Sequence, residues 1–125
     1  TANGMIYNKT AFEAAGVEVP TGPDDVWTWD EFREDLQKVV DSGAVKYGMV
    51  IDNPSHRWAT ILYEFGGSLA NENGGNLSSP ESMNAINFTK GLFDDGLAQW
   101  RRRQQPLPFW SGGCAYLRYL DDSEL

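Results

Sequence analysis

No four residues constrain the fold of this chain more than Thr28-Trp-Asp-Glu31. A threonine followed three positions later by glutamate is a capping box. Its hydroxyl and carboxylate accept hydrogen bonds from backbone N–H groups that the first turn of a helix leaves unpaired. Asp30 and Glu31 also put negative charge at the positive end of the helix dipole. Behind this start Trp29, Phe32, Leu36, Val39 and Val40 recur at helical spacing, and Gly43 ends the run. The next apolar stretch, Tyr47-Gly-Met-Val-Ile51, reads as a buried strand.

The same grammar repeats on either side. Met5, Ile6 and Tyr7 suit a short buried strand, and Lys9–Ala15 a short helix stopped by Gly16. Asp52-Asn-Pro-Ser55 is a turn feeding a helix in which Trp58, Ile61, Leu62 and Phe65 form a stripe; Gly66-Gly67 terminates it. Residues 68–78 are polar and glycine-rich, hence a loop. Ser79-Pro80-Glu81 starts another helix, with serine at the N-cap and proline at the first helical position. Ala85, Ile86, Phe88, Leu92 and Phe93 give that helix its apolar side, and Gly96 ends it. Helices alternating with strands at Met5–Tyr7 and Tyr47–Ile51 predict an α/β fold, rich in helix, around a small sheet. Tyr7 and Trp29 are read as core residues.

Composition narrows the function classes. A formal net charge of -8 lacks the basic face that nucleic acid or an anionic membrane surface requires. One cysteine, Cys114, and one histidine, His56, exclude an internal disulfide and a His/Cys metal cluster. A carboxylate-only calcium site stays open, but the sequence has no D-x-[DN]-x-[DN]-G loop, so no metal is expected, and the chain is read as needing no cofactor. The acidic pairs Asp24-Asp25, Asp94-Asp95 and Asp121-Asp122 fall in loops or at helix ends. Adjacent carboxylates diverge, whereas glycosidase chemistry needs two facing one sugar bond. The chain is therefore read as not an enzyme.

The order of these elements resembles the extracellular solute-binding proteins of bacterial ABC sugar importers, the family that includes maltose-binding protein. The resemblance is carried by Met5-Ile-Tyr-Asn-Lys9 with Phe12 and Ala15-Gly16, Thr28-Trp-Asp-Glu-Phe32, and Lys46-Tyr-Gly48. It continues through Trp58 with Gly66-Gly67, Ser79-Pro-Glu81 with Ala85, and Leu92-Phe-Asp-Asp-Gly-Leu97. It implies a two-lobed, periplasmic-binding-protein-like fold that closes over its ligand, of which residues 1–98 would be part of the second lobe. The opening residues read like the inside of a domain. The implied partners are a sugar or oligosaccharide, the first lobe of the parent protein and the membrane permease. The implied location is outside the cytoplasmic membrane, periplasmic or as a surface lipoprotein. A half-cleft forfeits the contacts that closure adds, so this chain alone is expected to bind weakly or not at all.

In this family the loop and helix start after the central strand face the cleft, here Asp52–Trp58. Trp58 would stack on a pyranose face, while Asn53, Ser55, His56 and Arg57 would take its hydroxyls. Asn3, just before the hinge strand, is a further candidate. Each has a plainer reading. Trp58 shares its stripe with Ile61, Leu62 and Phe65 and suits a core position equally well. Asn53-Pro54 can be only a turn. Ser55, His56 and Arg57 can be solvated first-turn residues, although His56 and Arg57 stand against the helix dipole.

Residues 99–125 break the pattern. Residues 1–99 carry 6 basic and 15 acidic side chains, the remainder 4 and 3. Arg101-Arg102-Arg103 through Pro106 and Pro108 shows no period of either kind. Codons for Trp100–Leu125 can be chosen so that a shift of one nucleotide reads as a glycine-rich NNP turn and FGRAVVHISG, which fits the family's continuation. A shifted frame, a divergent tail and a deliberately altered sequence are the three readings of this segment. A shifted tail would pack poorly and leave Phe109, Trp110, Tyr116 and Tyr119 as surface for self-association. For the whole chain, the rival classes are a fragment of a carbohydrate-active enzyme and a helical interaction module.

Overall fold

The structure is a computed structural model that describes residues 2–51, 55–100 and 113–120, with the backbone alone for residues 2–3 and 113–120. Among these the chain runs β1 (Ala2–Tyr7), α1 (Lys9–Ala14), α2 (Trp29–Asp41), β2 (Tyr47–Ile51) and α3 (Ser55–Glu64). It continues through β3 (Ala70–Asn71), β4 (Gly74–Gly75), α4 (Pro80–Asp94), β5 (Ala98–Trp100) and β6 (Gly113–Leu120). The architecture is α/β, as the sequence pattern predicts.

Local chemistry sets the helix ends. Asn8 caps α1, its Oδ1 accepting from the Ala11 amide at 3.1 Å. The capping box on α2 is complete: the Glu31 amide donates to Thr28 Oγ1 at 3.2 Å and the Thr28 amide to Glu31 Oε2 at 2.8 Å. Ser79 caps α4 through the Ser82 amide at 3.2 Å, with Pro80 at the first helical position. Past the four helices stand Gly16, Gly43, Gly66 and Gly96, at φ of 70°, 77°, 80° and 70°. This left-handed turn costs a glycine no Cβ clash, so each chain reversal falls where the apolar stripe stops.

The main sheet has the order β1-β6-β2-β5. β6 runs antiparallel to β1, pairing Ala2 with Leu120 and Tyr7 with Ala115. β2 is parallel to β6 on one side and to β5 on the other, pairing Ile51 with Leu117 and with Trp100. The strands expected from sequence, β1 and β2, thus share a sheet without touching, because β6 lies between them. The pairing also crosses the composition break near residue 98, since β5 and β6 belong to the same sheet as β1 and β2. Residues 70–75, read as loop, fold back as the two-stranded β3–β4 pair. The Asn73 amide donates to Asn71 Oδ1 at 2.9 Å and Asn71 Nδ2 donates to Asn76 Oδ1 at 3.1 Å, the local bonding that lets asparagine close tight turns.

Leu36, Val39, Met49, Ile51, Ile61, Leu92 and Leu97 form the fully buried centre, with Phe12 and Phe32 beside them. Gly48 lets α2 lie directly on β2: a Cβ there would stand 2.9 Å from Leu36 Cβ and 3.2 Å from the Leu97 carbonyl oxygen. On α4 the buried stripe is Ser82, Ala85, Thr89 and Leu92 rather than a purely apolar one. Both hydroxyls are satisfied, Ser82 Oγ accepting from the Ser68 amide at 3.2 Å and Thr89 Oγ1 donating to the Ala85 carbonyl at 2.9 Å. Tyr7 is not core. It sits at the sheet margin, 37% exposed, with its ring edge-on to Phe12 at 5.6 Å. Trp29 is half-buried at the rim of the core, packed against Phe32, Phe65 and Phe88.

Candidate ligand-binding edge

Parallel strands gather their carboxyl ends on one edge of a sheet, the edge where open α/β folds hold ligands. Here β2 ends at Ile51, β5 at Trp100 and β6 at Leu120. Because β1 runs the other way, its start at Ala2 lies beside Leu120, so the backbone of Asn3 joins the same edge, paired with Tyr119. The first residues of α3, Ser55 and His56, follow β2 closely there. Topology therefore brings together two stretches far apart in sequence, the start of β1 and the start of α3. Asn53 lies outside the described residues, and nothing further is described for the Asn3 side chain.

The candidates on α3 divide between two faces. Trp58 turns inward with Ile61, Leu62 and Phe65; it is half-buried against the core, and its indole N–H donates to Thr89 Oγ1 at 2.8 Å. Arg57 is buried, 8% exposed, and engaged within the fold. Ser55 and His56 are exposed and face the other way. With Ala59, Thr60, Tyr63 and Leu69 they line a hollow of about 330 Å³. His56, Ala59, Thr60 and Tyr63 follow the i, i+3, i+4, i+7 spacing of one helix face, so the hollow runs along the outer side of α3.

Sequence reasoning missed two aromatic side chains here. Tyr63 is 55% exposed and lies off the apolar stripe of α3. An aromatic residue placed off the stripe of an amphipathic helix was the available signal. Trp100, at the end of β5 opposite Ile51, is 40% exposed and stacked on Phe93 with centroids 5.0 Å apart and planes 20° apart. Its place beside the arginine run hid its strand character. The hollow offers an imidazole, two aliphatic hydroxyls and a phenol beside apolar Ala59 and Leu69. Such a mixture can hold a neutral polyhydroxylated ring through hydrogen bonds on its rim and ring stacking on its face.

Comparison with known proteins agrees with this architecture. The profile of the bacterial extracellular solute-binding protein family matches residues 1–117. A protein of Brucella abortus (strain 2308), named as a binding protein, is 31% identical over 104 residues, 79% of this chain and 24% of that protein. The chain thus spans about a quarter of the length of the curated relatives it matches. Among solved structures, UgpB from Mycobacterium tuberculosis in complex with glycerophosphocholine superposes with a TM-score of 0.76 at 20% identity, over 91% of this chain and 30% of that one. The ABC substrate-binding protein from Listeria monocytogenes in complex with cycloalternan gives 0.72 at 25% identity, over 92% and 31%. The cyclic alpha-maltosyl-1,6-maltose binding protein from Arthrobacter globiformis gives 0.71 at 21%, over 93% and 31%. The fold is that of periplasmic-binding-protein-like lobes, and the chain belongs to the bacterial extracellular solute-binding protein family.

Proposed function

We propose that this chain is part of the solute-binding component of an ABC importer, one that captures a sugar or oligosaccharide outside the cytoplasmic membrane and hands it to the permease. The observation that carries the reading is the hollow on the outer face of α3, which starts at the carboxyl edge of the sheet and mixes hydroxyl, imidazole and phenol groups. One of the similar solved structures is in complex with cycloalternan and another is a binding protein for cyclic alpha-maltosyl-1,6-maltose, which supports a sugar over a peptide or metal ligand. In this reading Tyr63 supplies the stacking ring and Ser55, His56 and Thr60 the polar contacts. Asn3, whose backbone lies on the same edge, and Asn53 are kept as further polar contacts from the sequence pattern. Trp58 and Arg57 hold α3 in place beneath them. The chain binds and releases without chemistry, and the rest of a longer protein supplies the opposing wall of the cleft. A single wall binds weakly because the contacts added by closure are absent.

The reading is tested by ligand-observed NMR on the chain with maltotriose and cycloalternan at millimolar concentration. Tyr63→Ala should weaken binding by about twofold to tenfold, the loss of one aromatic stacking contact. Trp58→Phe should leave it within about twofold once the variant is shown to be folded. The opposite order of effects would return Trp58 to the site and remove Tyr63 from it.

A further inference from the structure

A second concavity lies at the other end of α3, about 15 Å along a helix of ten residues. It is a groove of about 390 Å³ whose back wall is Trp27, Trp29 and Phe32 and whose mouth carries Met5, Val26, Asp25 and Glu64. We propose that this groove is a binding site for a small organic cation of the quaternary ammonium type.

The walls are formed before any ligand arrives. Phe32 is 3% exposed and stands between the indoles, 5.4 Å from the Trp27 ring and 5.8 Å, edge-on, from the Trp29 ring. Trp27 is pinned by its N–H, which donates to Asp35 Oδ2 at 2.8 Å, and Trp29 is stacked on Phe65 at 5.6 Å. Rings held from behind lose little freedom on binding, the condition under which a preformed pocket gains most from each contact.

Charge selects the ligand. The described lining holds two carboxylates and no lysine, arginine or histidine. Aromatic faces carry negative quadrupole density and attract a cation set over them. A quaternary ammonium adds methyl groups that pack on indole and phenyl surface, and its fixed positive charge, which a neutral sugar lacks, is drawn to the two carboxylates. An anion is disfavoured by the carboxylates of Asp25 and Glu64, and at the start of α2 the capping box already takes the amides of Thr28 and Glu31. Partial desolvation holds the Glu64 carboxyl above its usual range, and a bound cation would bring it down again. Choline-like solutes and the headgroup of glycerophosphocholine share this chemistry, and free choline and glycerophosphocholine are separate arms of the test.

Tryptophan fluorescence is titrated with choline chloride against matched sodium chloride, with glycerophosphocholine, and with dimethylbutanol, the neutral carbon isostere of choline. The site predicts a saturable choline response and at least about tenfold weaker binding of the isostere. Equal responses to choline and its isostere would overturn the proposal and leave an apolar seat for another segment of protein. Val26 is 71% exposed, so Val26→Lys sets a like charge at the mouth without disturbing the core and should abolish the response. Glu64→Gln should weaken choline about threefold to tenfold. Full choline binding by both variants would also overturn it. A glycerophosphocholine response exceeding that of choline would assign the phosphodiester source; the reverse assigns free choline. Sugar binding on the outer face of α3 is read separately, so either proposal can fail alone.

Discussion

The indole N–H of Trp58 donates to Thr89 Oγ1 at 2.8 Å, and that hydroxyl in turn donates to the Ala85 carbonyl one turn earlier on α4 at 2.9 Å. This relay ties the helix that carries the candidate site to the helix beneath it. Thr89 is buried at 7% exposure, so the isosteric Thr89→Val leaves the indole N–H without its partner. The expected loss is about 1–3 kcal/mol in urea unfolding. If Trp58 is a packing residue, sugar affinity in the folded Thr89→Val variant stays within about twofold of wild type. A large loss of affinity at unchanged stability would make Trp58 a ligand contact instead.

Gly67 marks where α3 returns to meet α4. A Cβ there would lie 2.7 Å from Ser82 Oγ, 2.8 Å from Leu62 Cδ1 and 2.9 Å from the backbone Cα of Ser82. The serine hydroxyl cannot simply rotate away, since it donates to the Ser68 carbonyl and accepts from Ser79 Oγ at 2.8 Å. Gly67→Ala should cost about 1–3 kcal/mol of overpacking, measured by chemical denaturation. Gly91, with open space around its Cα, serves as the control, and Gly91→Ala should be neutral or stabilising by up to about 1 kcal/mol.

Thr28→Ala should lower stability by about 0.5–2 kcal/mol, the usual cost of a lost N-cap. The same substitution should alter the titration of Glu31. Its carboxyl is held below the usual value, chiefly by the hydrogen bond from the Thr28 amide and then by the Thr28 hydroxyl. A depressed folded pKa contributes stability at pH above the unfolded value, and that contribution is lost as pH falls through the folded value. In Thr28→Ala the hydroxyl contribution is gone, so the Glu31 carboxyl signal in NMR titration should move upward. An unmoved signal would mean that the Thr28 hydroxyl does not help to set its pKa.

Glu64 carries the opposite sign. Desolvation raises its folded pKa, so the protein is penalised for ionising it, and the penalty is fully present above the folded value. It disappears as pH falls below the ordinary glutamate range, where both folded and unfolded chains are protonated. Glu64→Gln should therefore stabilise the protein at neutral pH and have no effect in acid. Denaturant unfolding across pH checks this. Equal stabilisation at both ends of the range would show that the gain has nothing to do with charge.

The fold was legible wherever its cause is local. The box at Thr28 and Glu31, the cap at Ser79, the glycines after each helix and the strand Tyr47–Ile51 are all settled within a few residues, and the structure has them where the pattern predicts. β5 and β6 were not legible. Ala98–Trp100 and Gly113–Leu120 acquire strand structure from partners tens of residues away, and neither short-range period nor turn chemistry encodes such pairing. For the site, the sequence placed Trp58 on an apolar stripe but could not choose between core and cleft. The hydrogen bond to Thr89 is a contact between helices and has no sequence signature. Tyr63 went unnoticed because attention to the stripe passes over what lies off it.

The central claim, that a sugar binds on the outer face of α3 at the carboxyl edge of the sheet, is tested most directly by backbone amide NMR of the chain titrated with cycloalternan. The account predicts saturable shifts at Ser55, His56, Thr60, Tyr63 and Leu69, with Asn3 following from the same edge and Thr28 and Trp29 unmoved. Shifts confined to other parts of the chain, or none at millimolar ligand, would contradict it.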